Sequence, residues 1–372
     1  MEWRVTLYCV SSHLPGRCIL HADADRFYFA VEAIERPELA LLDRPVIIGH
    51  DPRQAPRAVV TTANDPARAL GIDSGLSCRV ALGRAPNAVF VAPRMDIYRE
   101  YSRRLMVALR SATDTLEQLS VDEAWINWDK HGFDLGSAID LRGHIREVTG
   151  LSVSVGVAPS KLLAKMATES AKATQQGALV IAPAEVSAFL GPLPVESLWG
   201  VGPKTAGRLR SLGLVTIGAV ADTALNQLQA AFGPRHGRVL AEHSRGIDHS
   251  ELAPIRPPKS FSAERTFQSD VTDRAELWET MQHQARNLAE RLERRGLSAS
   301  EIAVKLRYAD WEDLVRQASL PTPTTSAVIL AQAAAVLMRR AWDKNRPLRL
   351  LGMRVSRFSA QGEPYQLEIP WA

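Results

Sequence analysis

Cysteine is scarce in this 372-residue chain: Cys9, Cys18 and Cys78 are all there are, odd in number and unpaired by spacing. That excludes a disulfide scaffold and a zinc-finger pattern and favours a reducing compartment. No apolar run approaches the ~20 residues that cross a bilayer. The N-terminus lacks the ordered charge, apolar core and cleavage site of a signal peptide. Cytoplasmic residence without a membrane partner is therefore expected. No Walker loop occurs, so any phosphate binding falls to metal ions and basic side chains. Neither sign of charge dominates: 45 Lys and Arg face 41 Asp and Glu, a net +4. This balance permits a polyanionic partner without requiring one. Apolar residues are plentiful at 46%, enough at this length for two or more units with their own cores.

The chain is organised around residues 20–32, LHADADRFYFAVE. Residues 17–23 read as a strand, with Ile19, His21 and Asp23 on one face and Cys18, Leu20 and Ala22 on the other. A helix follows at once. Asp23 closes a buried strand and so needs a charged partner. Asp25 is either a second site carboxylate or the N-cap of the helix. Carboxylates at such a strand end can hold Mg²⁺ against phosphates.

Residues 116–128, LEQLSVDEAWINW, bring adjacent acids, Asp122 and Glu123. Neighbours on a strand point to opposite faces. Both can serve one site only at a bulge or hairpin tip. A clean strand at 151–157 then leads into the helix SKLLAKMATESAK. Lys161, Lys165 and Lys172 share one face of that helix. Spacing alone makes Lys165 and Lys172 a solvated face, while Lys161, in the first turn, adds a point charge to the helix N-terminus.

Residues 36–93 are short, Gly/Pro-punctuated pieces that suit a small inserted lobe, with strands expected at 45–49 and 58–63. The stretch LWGVGPKTAGRLRSLGL carries a turn bounded by Gly200 and Gly202, a helix-hairpin-helix pattern whose backbone N–H groups can grip one phosphate. After a Pro-rich basic linker, a βαββαβ order is expected. Its strand EIAVKLRY puts Lys305 and Arg307 on the face opposite Ile302, Val304 and Leu306, which predicts a basic open face for tracking a nucleic-acid backbone.

In order and spacing, residues 20–32, 59–75, 119–125, 155–172, 198–209 and 259–267 resemble the motifs of Y-family translesion DNA polymerases, with the DNA polymerase IV-like branch nearest. The resemblance covers nearly the whole chain after Arg17. It implies a multi-domain α+β right-hand polymerase. The palm, with an antiparallel sheet, takes 1–33 and 94–182, of which 1–17 is an extension. Small fingers take 34–93 and a helical helix-hairpin-helix thumb takes 183–252. A linker (253–259) leads to a βαββαβ little finger with a C-terminal tail (260–372).

The implied activity is low-fidelity, template-directed nucleotidyl transfer from a dNTP to a primer 3′-OH with release of pyrophosphate. Two Mg²⁺ ions, replaceable by Mn²⁺, would serve it. Asp23, Asp122 and Glu123 would be the catalytic, metal-binding carboxylates, with the Ala24 carbonyl as a further ligand. Tyr28 would be the steric gate against a 2′-OH, and Phe27 would pack inside behind it. Arg68 and Lys172 would contact the triphosphate, with Lys161 a further candidate. Val59 and Thr61 would roof the nascent base pair. Gly200, Gly202, Lys204, Lys259, Arg265, Lys305 and Arg307 would contact primer–template DNA. The resemblance also implies a nucleoid-associated monomer. The tail stretch YQLEIPW resembles a sliding-clamp peptide anchored by Gln366, Leu367 and Ile369.

The chain departs from the family at two positions. Where a Tyr usually touches the triphosphate, three residues before Arg68, it has Asp65 followed by Pro66. An acid there puts phosphate contact from that position in doubt. Arg26 replaces a small or aromatic residue and has Asp23, Asp25 or solvent to face. Two other readings compete: a catalytically silent DNA-binding accessory protein on the same scaffold, favoured by Asp65, and a nucleotide cyclase on a similar palm, which gives the thumb and little finger no purpose.

Overall fold

The computed structural model describes residues 17–40, 42–254 and 257–361. The clamp-like residues Gln366, Leu367 and Ile369 lie outside them. The chain divides into two units. The first comprises Met1–Gly49, Val60–Gly75 and Arg84–Ile255; the second comprises His50–Val59, Leu76–Gly83 and Arg256–Ala372.

The first unit begins with β1 (Ile19–Ala24), α1 (Phe27–Glu35), α2 (Pro37–Ala40), β2 (Val46–Ile48), β3 (Thr62–Ala63) and α3 (Asp65–Arg68). The strand expected over 58–63 shortens to β3, because Val59 pairs only as an isolated bridge to Ser77. Helix α4 (Cys78–Arg84) follows in the chain but falls almost wholly in the second unit; the first unit resumes with β4 (Val89–Val91) and α5 (Met95–Arg110). Next come β5 (Leu116–Gln118), β6 (Glu123–Asn127), α6 (Leu135–Thr149), β7 (Val153–Ala158), α7 (Lys161–Ala171) and β8 (Ala178–Val180). The main sheet runs β5-β6-β1-β7-β8. It is antiparallel, as expected of the palm, except at its edge, where β7 and β8 are parallel.

Strand β1 is central and both its faces are covered. Cys18, Leu20, Ala22 and Ala24 pack with Tyr98, Leu105 and Leu109 of α5 and with Leu141 and Ile145 of α6. On the other face Ile19 joins Trp125 and the α7 residues Leu162, Leu163 and Met166. Helix α7 lies so close to β7 that a Cβ on Gly156 would sit 2.3 Å from the Ala164 carbonyl oxygen. Only glycine permits that approach. The remaining helices, α8 (Val186–Leu190), α9 (Pro203–Ser211), α10 (Ile217–Asp222), α11 (Leu225–Phe232) and α12 (Pro234–His243), form the small all-helical region.

The second unit contains β9 (Ser260–Val271), α13 (Arg274–Glu293), β10 (Leu297–Tyr308), β11 (Asp313–Thr324), α14 (Ala327–Ala341) and β12 (Leu348–Ala360). This is the expected βαββαβ order, folded as an antiparallel β11-β10-β12-β9 sheet. Ile302, Val304 and Leu306 pack against the helices, as the alternation requires.

Its open face is not the basic surface the sequence suggested. Lys305 bonds Glu264 at 3.2 Å, Arg307 forks onto Asp313 at 2.5 and 2.7 Å, and Arg354 reaches Gln317. The acids come from other strands of the sheet, Asp313 from adjacent β11 and Glu264 from β9 across Gly352 of β12, so reading one strand at a time misses them. Arg265 shares the parity of Phe261 and Phe267 and lies 3.4 Å from Thr280 of α13. It therefore belongs to the helix-facing side, at an edge strand, and not to the face of Lys305 and Arg307. Val59 also falls in this unit, and is exposed.

Candidate active site

The antiparallel register of β1 and β6 sets Asp23 directly opposite Glu123. Two carboxylates so placed repel each other. Asp122 precedes the strand, in a bend, and its carbonyl accepts from the Ala24 amide at 2.9 Å. Ser120 shapes that bend: its hydroxyl donates to the Asp122 carboxylate and accepts from the Asp122 and Glu123 amides at 3.3 and 3.2 Å. Adjacent acids thus reach one region because only the second is on a strand.

Burial pushes the Asp23 carboxyl up to about 6; Lys172 opposes this and the neighbouring carboxylates reinforce it. Glu123 is held down at about 2 by contact with His21 and by Lys165. His21 Nε2 stands 3.5 Å from Glu123 and has no hydrogen-bond partner, while burial lowers the His21 pKa. A buried neutral imidazole exerts little charge, so the ammonium of Lys165, 2.5 Å away, is the lasting counter-charge.

The three lysines do share a face: Lys161 and Lys165 on it turn to the sheet, while Lys172, just past the helix end, stays partly open to solvent. Lys161 meets Glu117 at 2.7 Å, Lys165 meets Glu123, and Lys172 meets Asp23 at 3.4 Å and Glu169 at 2.9 Å. The structure does not bring Lys161 to the acidic group. It is buried, packs over Trp125 and also donates to the Glu251 carbonyl. Lys165, expected to be solvated, is a site residue the spacing argument missed.

Tyr28 stands half-buried near Asp122, edge-on to Tyr98 at 4.8 Å, while Phe27 is buried as expected. Glu32, fully buried on α1, takes a fork from Arg94 at 2.9 and 2.6 Å and the Tyr98 hydroxyl at 2.7 Å. This brace fixes α1 against α5. Its only sequence signal was a Glu on an apolar helix face. Asp25 is not the N-cap of α1; Arg26 occupies that position. Asp25 accepts instead from the Ser152 and Ser154 hydroxyls at 2.8 and 2.7 Å, which tie β1 to the start of β7.

Arg68 bonds the Ala63 carbonyl at 3.1 Å and Thr62 at 3.2 Å, and with Lys172 lines a cavity of about 670 Å³. Thr61 is held by backbone bonds to Ile48 and by the Ser74 hydroxyl. Arg26 and Asp65, the two departures, pair with each other. Gly200, at φ 94, and Gly202 form an exposed turn that caps α9, and Lys204 is exposed in its first turn. Lys259 is exposed just before β9.

Among the described residues no three acidic, histidine or cysteine side chains already stand in ion-ligating positions. The donor set nevertheless fits a hard dication: oxygen only, clustered, with Asp23 held above its ordinary pKa by burial and like charge. A raised carboxyl pKa means the native state holds a proton that the unfolded chain has released. Between about pH 4 and 6 native stability therefore falls as pH rises. In EDTA, Asp23→Asn is expected to raise the urea midpoint at pH 7, with the gain disappearing by about pH 4. A midpoint unchanged at pH 7 would refute the strained-carboxylate account.

Family models match three parts of the chain: "impB/mucB/samB family" at residues 22–169, its C-terminal domain at 258–369, and "DNA polymerase-iota, thumb domain" at 196–248. A protein of Halorhodospira halophila described as DNA polymerase IV is 38% identical over 344 residues, covering 91% of this chain and 95% of that protein. One of the same description from Methanoculleus marisnigri is 35% identical over 345 residues, covering 92% and 94%. A solved Y-family DNA polymerase chimera aligns at a TM-score of 0.81 with 24% identity, covering 92% of this chain and all of the other.

Proposed function

The chain belongs to the impB/mucB/samB family of Y-family DNA polymerases, and from that premise we propose which of its residues do the work. It is a DNA-directed DNA polymerase of the translesion class. The observation that carries the site assignment is the pairing of Asp23 with Glu123 across β1 and β6, with Asp122 delivered beside them by the Ser120 bend.

Asp23, Asp122 and Glu123, with the Ala24 carbonyl, would hold Mg²⁺ or Mn²⁺. Held there, such an ion would lower the pKa of the primer 3′-OH and offset charge on the departing pyrophosphate. Lys165 keeps Glu123 ionised and aimed. Lys172 and Arg68 hold the triphosphate from two sides of the cavity. Few proton-transferring side chains are needed, since positioning dominates phosphoryl chemistry. The exposed Gly200–Gly202 turn offers backbone N–H groups to one DNA phosphate without reading bases. Lys204 adds charge there. Thr61 would face the nascent base pair.

Tyr28 is the proposed sugar gate. Its ring is fixed by Tyr98, which is itself pinned by Glu32 and the Arg94 fork. A ring that cannot retreat leaves no space for a 2′-OH. Tyr28→Ala is expected to raise ribonucleotide incorporation relative to dNTP by roughly a hundredfold or more. Unchanged sugar selectivity in single-nucleotide extension would refute the gate. The function as a whole is tested by extending a primed template with each dNTP separately, with and without an abasic site. An inert wild-type chain that still binds DNA would favour the accessory-protein reading instead.

A further inference from the structure

Arg26 and Asp65 are the two residues by which this chain leaves its family's pattern, and they meet. The Arg26 guanidinium forks onto the Asp65 carboxylate, Nη1 to Oδ2 at 2.6 Å and Nη2 to Oδ1 at 2.5 Å. The pair links the start of α1 to the first residue of α3, 39 positions away. Arg26 adopts φ 50 and ψ 43, a left-handed conformation costly for a residue with a side chain. Neither side chain serves the core: Arg26 is 44% exposed and Asp65 66%.

The fork stands at the cavity proposed for the triphosphate. Arg26, Arg68, Arg142 and Lys172 all line it, and its volume suits a small polyanion. The one acid lining it, Asp25, is already engaged by Ser152 and Ser154. A planar guanidinium fork matches phosphate oxygens as well as it matches a carboxylate. An exposed single carboxylate binds it weakly, because solvent screens the pair. A triphosphate carries several charges and also faces Arg68, Arg142 and Lys172, which are held by Asp73, by the Val153 and Gln176 carbonyls, and by Asp23 and Glu169.

We propose that Arg26 is a triphosphate-binding residue held in reserve by Asp65, which the incoming nucleotide displaces. The inference rests on the polymerase reading of this site. Arg26 makes the phosphate contact that Asp65, an anion, cannot make. Asp65 restrains Arg26 and neutralises it while the cavity has no nucleotide.

The test is a dNTP titration in primer extension with wild type, Arg26→Ala and Asp65→Asn. Arg26→Ala should raise the dNTP KM about tenfold with kcat and DNA affinity little changed. Asp65→Asn should lower that KM, because the competing charge is gone. A second readout needs no catalysis: inorganic tripolyphosphate in EDTA should raise the Tm of wild type, less that of Arg26→Ala, and more that of Asp65→Asn. An unchanged KM and Tm shift in Arg26→Ala would overturn the proposal. So would an Asp65→Asn variant whose KM rises as in Arg26→Ala, since the fork would then be a structural strap. A wild-type chain that extends no primer overturns the polymerase reading instead, and the tripolyphosphate shift still reports on Arg26 separately.

Discussion

Asp122→Ala is expected to abolish Mg²⁺-dependent primer extension, lowering the rate by at least about a thousandfold, while the protein stays folded. Asp122 is half-buried, lies in a bend rather than in β6, and contacts mainly the Ser120 hydroxyl and the Ala24 amide. The Ala24 bond uses the Asp122 backbone carbonyl, which alanine retains. The sheet register that sets Asp23 against Glu123 therefore survives the substitution. What is lost is one carboxylate of the three, and with it the charge needed to hold a dication against a triphosphate. Removing Asp122 also relieves part of the repulsion that raises the Asp23 pKa. A modest gain in Tm alongside the lost activity is the expected signature of a site built at the expense of stability. The measurement is single-turnover extension with Tm recorded on the same sample. Extension within about tenfold of wild type would remove Asp122 from the catalytic group.

Lys161→Met is expected to do the opposite: destabilise strongly and leave single-turnover extension at 25 °C largely intact. Lys161 and Glu117 are both almost fully buried, 2% and 3% exposed, and 2.7 Å apart. Lys161 also donates to the Glu251 carbonyl, and Glu117 accepts from the Ala253 amide at 2.9 Å. The ion pair thereby ties β5 and α7 to the chain at residues 251–253. Removing the ammonium takes from the buried Glu117 carboxylate its partner at 2.7 Å, which costs up to about 3–5 kcal/mol. The double variant Lys161→Met/Glu117→Leu should recover only part of that: burying neither charge avoids the desolvation penalty, but the Ala253 amide loses its acceptor. Urea unfolding of the two variants gives both numbers. A Lys161→Met variant with native stability but a raised dNTP KM would return Lys161 to the substrate-binding role that its first-turn position suggested.

The candidate site divides by the range of the interactions that build it. Asp23 was legible from the alternation of residues 17–23, since a strand parity carries the acid to the same face as His21. The SVDE stretch was legible as a turn because adjacent acids cannot both face one way on a regular strand. Ser120 proved to be the residue that makes the turn, and its role is also local. Asp25 was ambiguous for a local reason: a cap and a cross-strand acceptor use the same oxygens. Only Ser152 and Ser154, more than a hundred residues later, decided between them.

By itself, then, the sequence determined the βαββαβ second unit, the acidic strand end, and that the adjacent acids could share a site only off a regular strand. All of these follow from periodicity, capping and turn chemistry within a dozen residues. Only the tertiary structure decided what each charge faces. The lysine row of α7 met Glu117, Glu123 and Asp23 of the main sheet, with Lys172 still partly open to water. Lys305 and Arg307 found acids on other strands of their sheet, and Arg26 found Asp65 across 39 residues. Spacing along a chain fixes which side chains share a face. Which charge lies opposite depends on how elements pack, and a single charged residue carries no local signal of its distant partner.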